Sequence, residues 1–172
     1  MFLLNKWIVE MIIKFAELIQ SDFEDYSTIS VFENQAQFVF PIAKVLSRFF
    51  GRSAEKHVYI AGAKCNSEAA GIIIITDHYE TAELESNKLN VCWVDTLAID
   101  RKYQKQGIGS QLLEHAISAL YDKFDCMCLT VNIRNESAKS MYIQCGFKDV
   151  DELYFGGPSG PQNILRYNIS GS

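Results

Sequence analysis

The chain has 172 residues, 48% hydrophobic and 22% charged, a balance that suits one globular domain with a single sizeable core. Its formal charge of -5 comes with no run of lysine or arginine, so the basic face that neutralises nucleic-acid phosphates is missing and nucleic acid is excluded as a partner. Five cysteines without paired spacing and three histidines without ligand spacing exclude a disulfide framework and a zinc site; no metal is expected, and the odd cysteine count with no export signal points to the cytoplasm.

Met1 to Ile19 is rich in apolar residues, but Lys6, Glu10, Lys14 and Glu17 interrupt it every three or four positions. The stretch therefore predicts an amphipathic element and no membrane span or signal peptide. Ile12 to Leu18 also reads as a first strand, in which case Met11 rivals Met1 as the start and residues 1–10 form an N-terminal extension of one domain over residues 1–172. Ser21 and Asp22 offer a helix start before Phe23 to Ile29, and a second helical pattern runs from about Asn34 to Phe50, closed by Gly51. Pro41 inside that run either kinks it or opens a separate helix. Val58 to Ala63 and Gly71 to Thr76, separated by Asn66-Ser67-Glu68, predict a hairpin. A charged loop from Tyr79 to Leu89 follows, then a strand over Asn90 to Ile99.

Gln104-Lys105-Gln106-Gly107-Ile108-Gly109 stands between that strand and an amphipathic helix beginning near Ser110, whose apolar face is Leu112, Leu113, Ala116, Ile117 and Leu120. Glycines at Gly107 and Gly109 allow a tight turn and close backbone approach to a ligand, and the helix adds unpaired N–H groups and the positive end of its dipole. A pyrophosphate is the natural guest of such a cradle. The dinucleotide fingerprint is not met, because Leu112 stands where its third glycine belongs, and no Gly-Lys-Ser/Thr follows as in a Walker loop. An ordinary strand-to-helix turn is the alternative. Cys126 to Ile133 predicts the next strand.

Asn135 to Phe147 reads as one capped helix: Asn135 at the N-cap, Glu136 in the first turn, Gly146 as the left-handed stop, and Ala138, Met141, Tyr142 and Cys145 on one face. Strands near Val150 to Phe155 and Ile164 to Ile169, joined by the breaker-rich Gly156 to Pro161, complete the chain.

The two central segments together resemble the GNAT superfamily of N-acetyltransferases. Its members carry an Arg/Gln-x-x-Gly-x-Gly/Ala turn after the fourth strand and an Asn-x-x-Ala-x-x-x-Tyr-x-x-x-Gly-Phe helix. Both patterns occur here in order, at Gln104 to Gly109 and Asn135 to Phe147, and the likeness covers roughly Asn90 to Asp149. The resemblance implies an α/β, GNAT-like acyl-CoA N-acyltransferase fold: a mixed six- to seven-stranded sheet with helices on both faces, strands 4 and 5 splayed, and acetyl-CoA entering the gap. It implies an enzyme that moves an acetyl group from acetyl-CoA, as co-substrate, to a primary amine by direct attack.

On that resemblance, backbone N–H groups of Gln106, Gly107, Ile108, Gly109 and Ser110 hold the pyrophosphate, with Gln104 opening the motif and Lys105 adding charge. Leu97, Ala98 and Ile99 align the pantetheine arm, with Asn135 and Ala138 on the helix side. Tyr142 aligns with the usual proton donor to the coenzyme A sulfur, against a packing role. Asp95 stands where many members carry a glutamate base, and strand alternation would place it on one face with Leu97 and Ile99. His78 is the rival base. The acceptor is a small-molecule or peptide amine, and acidic Asp77, Glu80, Glu83 and Glu85 would favour a cationic one such as a polyamine, an aminoglycoside or a protein amino terminus. A non-catalytic acetyl-CoA sensor or interaction module is the alternative, no membrane partner is expected, and a homodimer is left open.

Overall fold

A computed structural model describes residues 12–51, 59–77 and 89–169. The described residues form seven strands in one mixed sheet and four α-helices. The strands are β1 (Ile13–Glu17), β2 (Tyr59–Cys65), β3 (Glu68–Thr76), β4 (Val91–Ile99), β5 (Cys126–Asn132), β6 (Lys148–Tyr154) and β7 (Gln162–Asn168), in the spatial order β1-β2-β3-β4-β5-β7-β6. The helices are α1 (Phe23–Ser27), after a single 3-10 turn, α2 (Ile42–Phe50), α3 (Ile108–Leu120) and α4 (Glu136–Gln144). Every neighbouring pair is antiparallel except β4 and β5.

The isoleucine run of β3 shows how the sequence dictates layers. Side chains alternate across a strand, so Ile73 and Ile75 enter one core with Leu112, Leu113 and Ala116 of α3, while Ile72 and Ile74 enter another with Tyr26 of α1 and Leu46 and Phe49 of α2. A four-residue apolar run is thus what a central strand covered on both faces requires. The β2–β3 hairpin turns through Asn66 and Ser67, both left-handed with φ of 50° and 74°, the mirror-image turn that matches strand twist.

One alternative is decided and one boundary moves. Of the two possibilities at Pro41, the separate helix is the one that forms: residues 33–38 form turns, and α2 begins directly after Pro41. Proline has no N–H to give an interior turn but suits a helix start, so it divides the run. The helix after the glycine turn starts at Ile108, two residues earlier than the apolar face alone suggests, because Gly107 at φ 77° already forms its N-cap.

α4 ends in a complete Schellman motif. Phe147 N donates to Tyr142 O at 3.1 Å and Gly146 N to Ile143 O at 3.0 Å, with Gly146 at φ 93°. The accompanying apolar contact is Phe147 against Tyr142, ring centroids 5.8 Å apart. The stop signal therefore also braces the tyrosine. No described helix is long and apolar enough to cross a membrane.

Candidate active site

β4 and β5 pair only from Val91 with Cys126 to Val94 with Leu129. The next residue, Asp95, is where β4 loses its regular register with β3: Ile75 faces Val94 and Ile74 faces Thr96, leaving Asp95 as the extra residue of a bulge. A bulge bends its strand and re-aims a side chain. Past it, Thr96 to Ile99 continue along β3 while Thr130 to Asn132 continue along β7, so the two strands part. Backbone groups on the β5 side of this β4 segment then face a gap instead of a neighbouring strand.

A pocket of about 640 Å³ occupies that gap. Its walls are the parted strands, the start of α4, residues 36–41 with α2, and the loop before β7. Asp95, Leu97, Asn135, Ala138 and Tyr142 all line it, although the sequence places them over forty-odd residues. Ala98 turns away into the core of α1 and α2, and Ile99 packs beside Gly109, 3.5 Å from where a Cβ there would stand.

Tyr142 is 8% exposed, and burial, helped by Cys145, raises its phenol pKa above the ordinary value. A proton so held is available for donation across the neutral range. Asp95 does not share the face of Leu97 and Ile99, as simple alternation predicts: those two pack on the α3 side, whereas Asp95 accepts from Arg48 Nη2 of α2 at 3.3 Å. The bulge is the reason, and period-two reading is blind to it. Burial raises the Asp95 pKa, while a 2.9 Å bond from Thr96 Oγ1 and the Arg48 charge oppose the rise.

The glycine turn, at the start of α3, is not part of that lining and meets β4 at Ile99, through Gly109 and the Gln104 amide. Lys105 at φ 60° and Gly107 at φ 77° are left-handed, a concave arrangement that directs successive N–H groups outward. The helix's own ladder begins with Gln111 N donating to Gly107 O at 3.1 Å, so the N–H groups of Ile108, Gly109 and Ser110 precede it. The Ile108 side chain is buried and contributes only backbone. Gln104 is engaged sideways: its amide exchanges bonds of 3.1 and 2.8 Å with Gln35 and donates to Ile99 O at 3.0 Å. Asn135 Oδ1 accepts from Ala138 N at 3.4 Å, so it caps α4 while lining the pocket.

The far wall was not evident from the sequence. Ser159 Oγ donates to Gln37 O at 2.5 Å, while Asn132 Nδ2 and Arg134 Nη2 each donate to Ser159 O at 2.9 Å. Arg134 also stands 5.7 Å over the Phe38 ring. The loop before β7 is thus strapped across the end of β5 to the segment before α2. No motif spacing signals contacts between residues 122 positions apart. His78, Glu80, Glu83 and Glu85 lie outside the described residues. Asp77 lines a separate cavity of about 500 Å³ with Glu17 and Lys123. Among the described residues no group of three or more His, Cys, Asp and Glu side chains is placed to hold a metal ion.

Known proteins share this fold. A model of the Acetyltransferase (GNAT) family matches residues 13–147. The spermine/spermidine N(1)-acetyltransferase of Bacillus subtilis strain 168 is 33% identical over 75 residues, 42% of this chain and 49% of that protein. The chain spans about half the length of the curated relatives it matches. The crystal structure of the ribosomal-protein-S18-alanine N-acetyltransferase of Escherichia coli superposes with a TM-score of 0.69 at 23% identity, covering 94% of this chain and 96% of that one. That of the spermidine N-acetyltransferase of Vibrio cholerae with CoA and spermine gives 0.67 at 14% identity, covering 91% and 95%.

Proposed function

Because the chain belongs to the GNAT acetyltransferase family, we propose that it transfers an acetyl group from acetyl-CoA to a primary amine by direct attack in a ternary complex. The observation that carries this reading is the parting of β4 and β5 at Asp95, which opens one pocket to Tyr142 from α4 and to Asp95 from β4. The left-handed turn and the leading N–H groups of α3 suit a pyrophosphate. Residues Gln106 to Ser110 hold the pyrophosphate, with Lys105 adding charge, and Gln104 braces the turn from behind. Leu97 and Ile99 offer backbone to the pantetheine arm, and Asn135 and Ala138 form its other wall. When bound, acetyl-CoA supplies the activated acyl carbon.

Two proton movements remain for the chain. Asp95 accepts the acceptor's proton, directly or through water, and Tyr142 gives its own to the departing sulfur. Positioning the two reactants in the gap supplies the rest of the rate. The test is release of free coenzyme A and mass-spectrometric detection of an acetylated product across a panel of amines. Release with product supports transfer; saturable acetyl-CoA binding without release from any amine would make the chain a sensor.

A further inference from the structure

Among the described residues, the α2 wall of the pocket carries an excess of positive charge. Among the described residues that line the pocket, the charged ones are Lys44, Arg48 and Asp95. Lys44 and Arg48 are four apart on α2 and so lie one above the other on the helix face turned to the pocket. Asp95 is shared with Arg48 at 3.3 Å. Lys44 has no ion pair among the described residues. Arg134, held over Phe38 and bonded to Ser159 O, puts a further cation at the rim. Opposite stand uncharged groups, Gln162 and the Gly156 to Ser159 loop. Asp77, the described member of the acidic stretch, faces the other cavity.

We propose that the acceptor is an amine bearing an anion within about one residue of the reacting nitrogen, an acidic peptide amino terminus being the natural form, with Lys44 as the residue that reads the anion. The proposal rests on the acetyl-transfer reading of the same pocket. An ammonium approaching Asp95 meets one carboxylate already partnered by Arg48, and the Lys44 ammonium beside it selects a compensating negative group. A polyamine keeps positive charge after its reacting nitrogen is deprotonated, and that charge would be set against Lys44 and Arg48, with no carboxylate other than Asp95 among the described residues lining the pocket to receive it. Lys44 and Arg48 are exposed, so this like-charge contact discriminates at low ionic strength and is screened as salt rises.

The experiment compares tetrapeptide amides beginning Ala-Glu, Ala-Gln and Ala-Lys, together with spermidine, by kcat/KM at constant ionic strength. The expected order is Ala-Glu first and Ala-Lys last, with about tenfold between them, collapsing as salt is raised. Lys44→Glu, on an exposed helix position, should invert the order, and Lys44→Met should flatten it, with acetyl-CoA binding unchanged in both. Preference of the wild type for Ala-Lys or spermidine would overturn the proposal, as would an order indifferent to Lys44→Glu. Equilibrium binding of the same peptides to the protein with coenzyme A present separates the two readings. Ala-Glu binding tightest without turnover would sink acetyl transfer but uphold anion recognition, and Ala-Lys binding tightest, or no peptide binding, would sink the recognition itself.

Discussion

At the scale of single residues, Tyr142 and Asp95 owe their proposed roles to opposite treatments of a proton. Burial disfavours the charged form of both, so the phenol stays protonated and the carboxylate ionises later than an exposed aspartate. Tyr142→Phe keeps the ring packed on Phe147 and deletes only the hydroxyl. Turnover in a chemistry-limited assay should fall by about 10² or more with acetyl-CoA affinity retained; undiminished kcat would leave the tyrosine a packing residue. For Asp95 the sign is fixed by its surroundings. The base must be ionised, so kcat should rise with pH through a limb lying above the ordinary aspartate value. The Arg48 charge favours the ionised form, and Arg48→Met should therefore move that limb to higher pH. Asp95→Asn should abolish it and lower kcat. A limb that stays put in Arg48→Met, or an Asp95→Asn variant altered only in KM, would reduce Asp95 to attracting the acceptor.

At the scale of elements, the glycine turn separates two requirements that share one residue type. Gly107 must be left-handed, at φ 77°, where a Cβ would meet only Gln111 Nε2 at 3.5 Å; its demand is conformational. Gly109 has no positive φ and a Cβ there would make ordinary contact with Ile99 at 3.5 Å. Gly107→Val should thus destabilise the unliganded protein by about 1–2 kcal/mol and remove the stabilisation by acetyl-CoA, which for the wild type is about 2.7 kcal/mol at 100 times its dissociation constant. Gly109→Ala should melt like wild type without ligand. Equal melting of the unliganded Gly107→Val protein and wild type, or a full ligand shift in the variant, would disprove the assignment of the turn.

At the scale of the molecule, the segment between α1 and α2 and the glycine turn are tied through one buried carboxylate. Asp100 is 7% exposed and accepts from Ser30 N at 2.9 Å, Ser30 Oγ at 3.4 Å and Lys102 N at 3.0 Å, while Arg101 N donates to Ser30 O at 2.8 Å. The Gln35 and Gln104 amides repeat the link a few residues on. Asp100→Ala takes the acceptor away from those donors at a half-buried joint, at about 1–3 kcal/mol for each one left without a partner. Chemical denaturation should show a loss of about 3 kcal/mol, and acetyl-CoA affinity should weaken with it because the turn loses its anchor. A loss under about 0.5 kcal/mol, the range of ordinary surface changes, would show that the link is not structural.

Features that depend on a few consecutive residues were decided by the sequence alone. The left-handed stop at Gly146, the Asn135 cap, the glycine turn and the two-sided burial of Ile72 to Ile75 follow from local φ/ψ limits and from side-chain period, which act over a turn or a strand. The mixed sheet with parted strands 4 and 5 was reached through resemblance, carried by those same short segments, and the strand order came only with the structure. What only the tertiary structure decided lies where distant segments meet. The bulge that turns Asp95 toward Arg48 arises from unequal pairing with β3, which no periodicity within β4 encodes. The strap from Ser159 to Gln37 and the Lys44 and Arg48 wall form because loops far apart in the chain close over one gap. Contacts of that kind are set by how packed layers bring chain segments together, and the pocket's shape and charge are consequences of that packing.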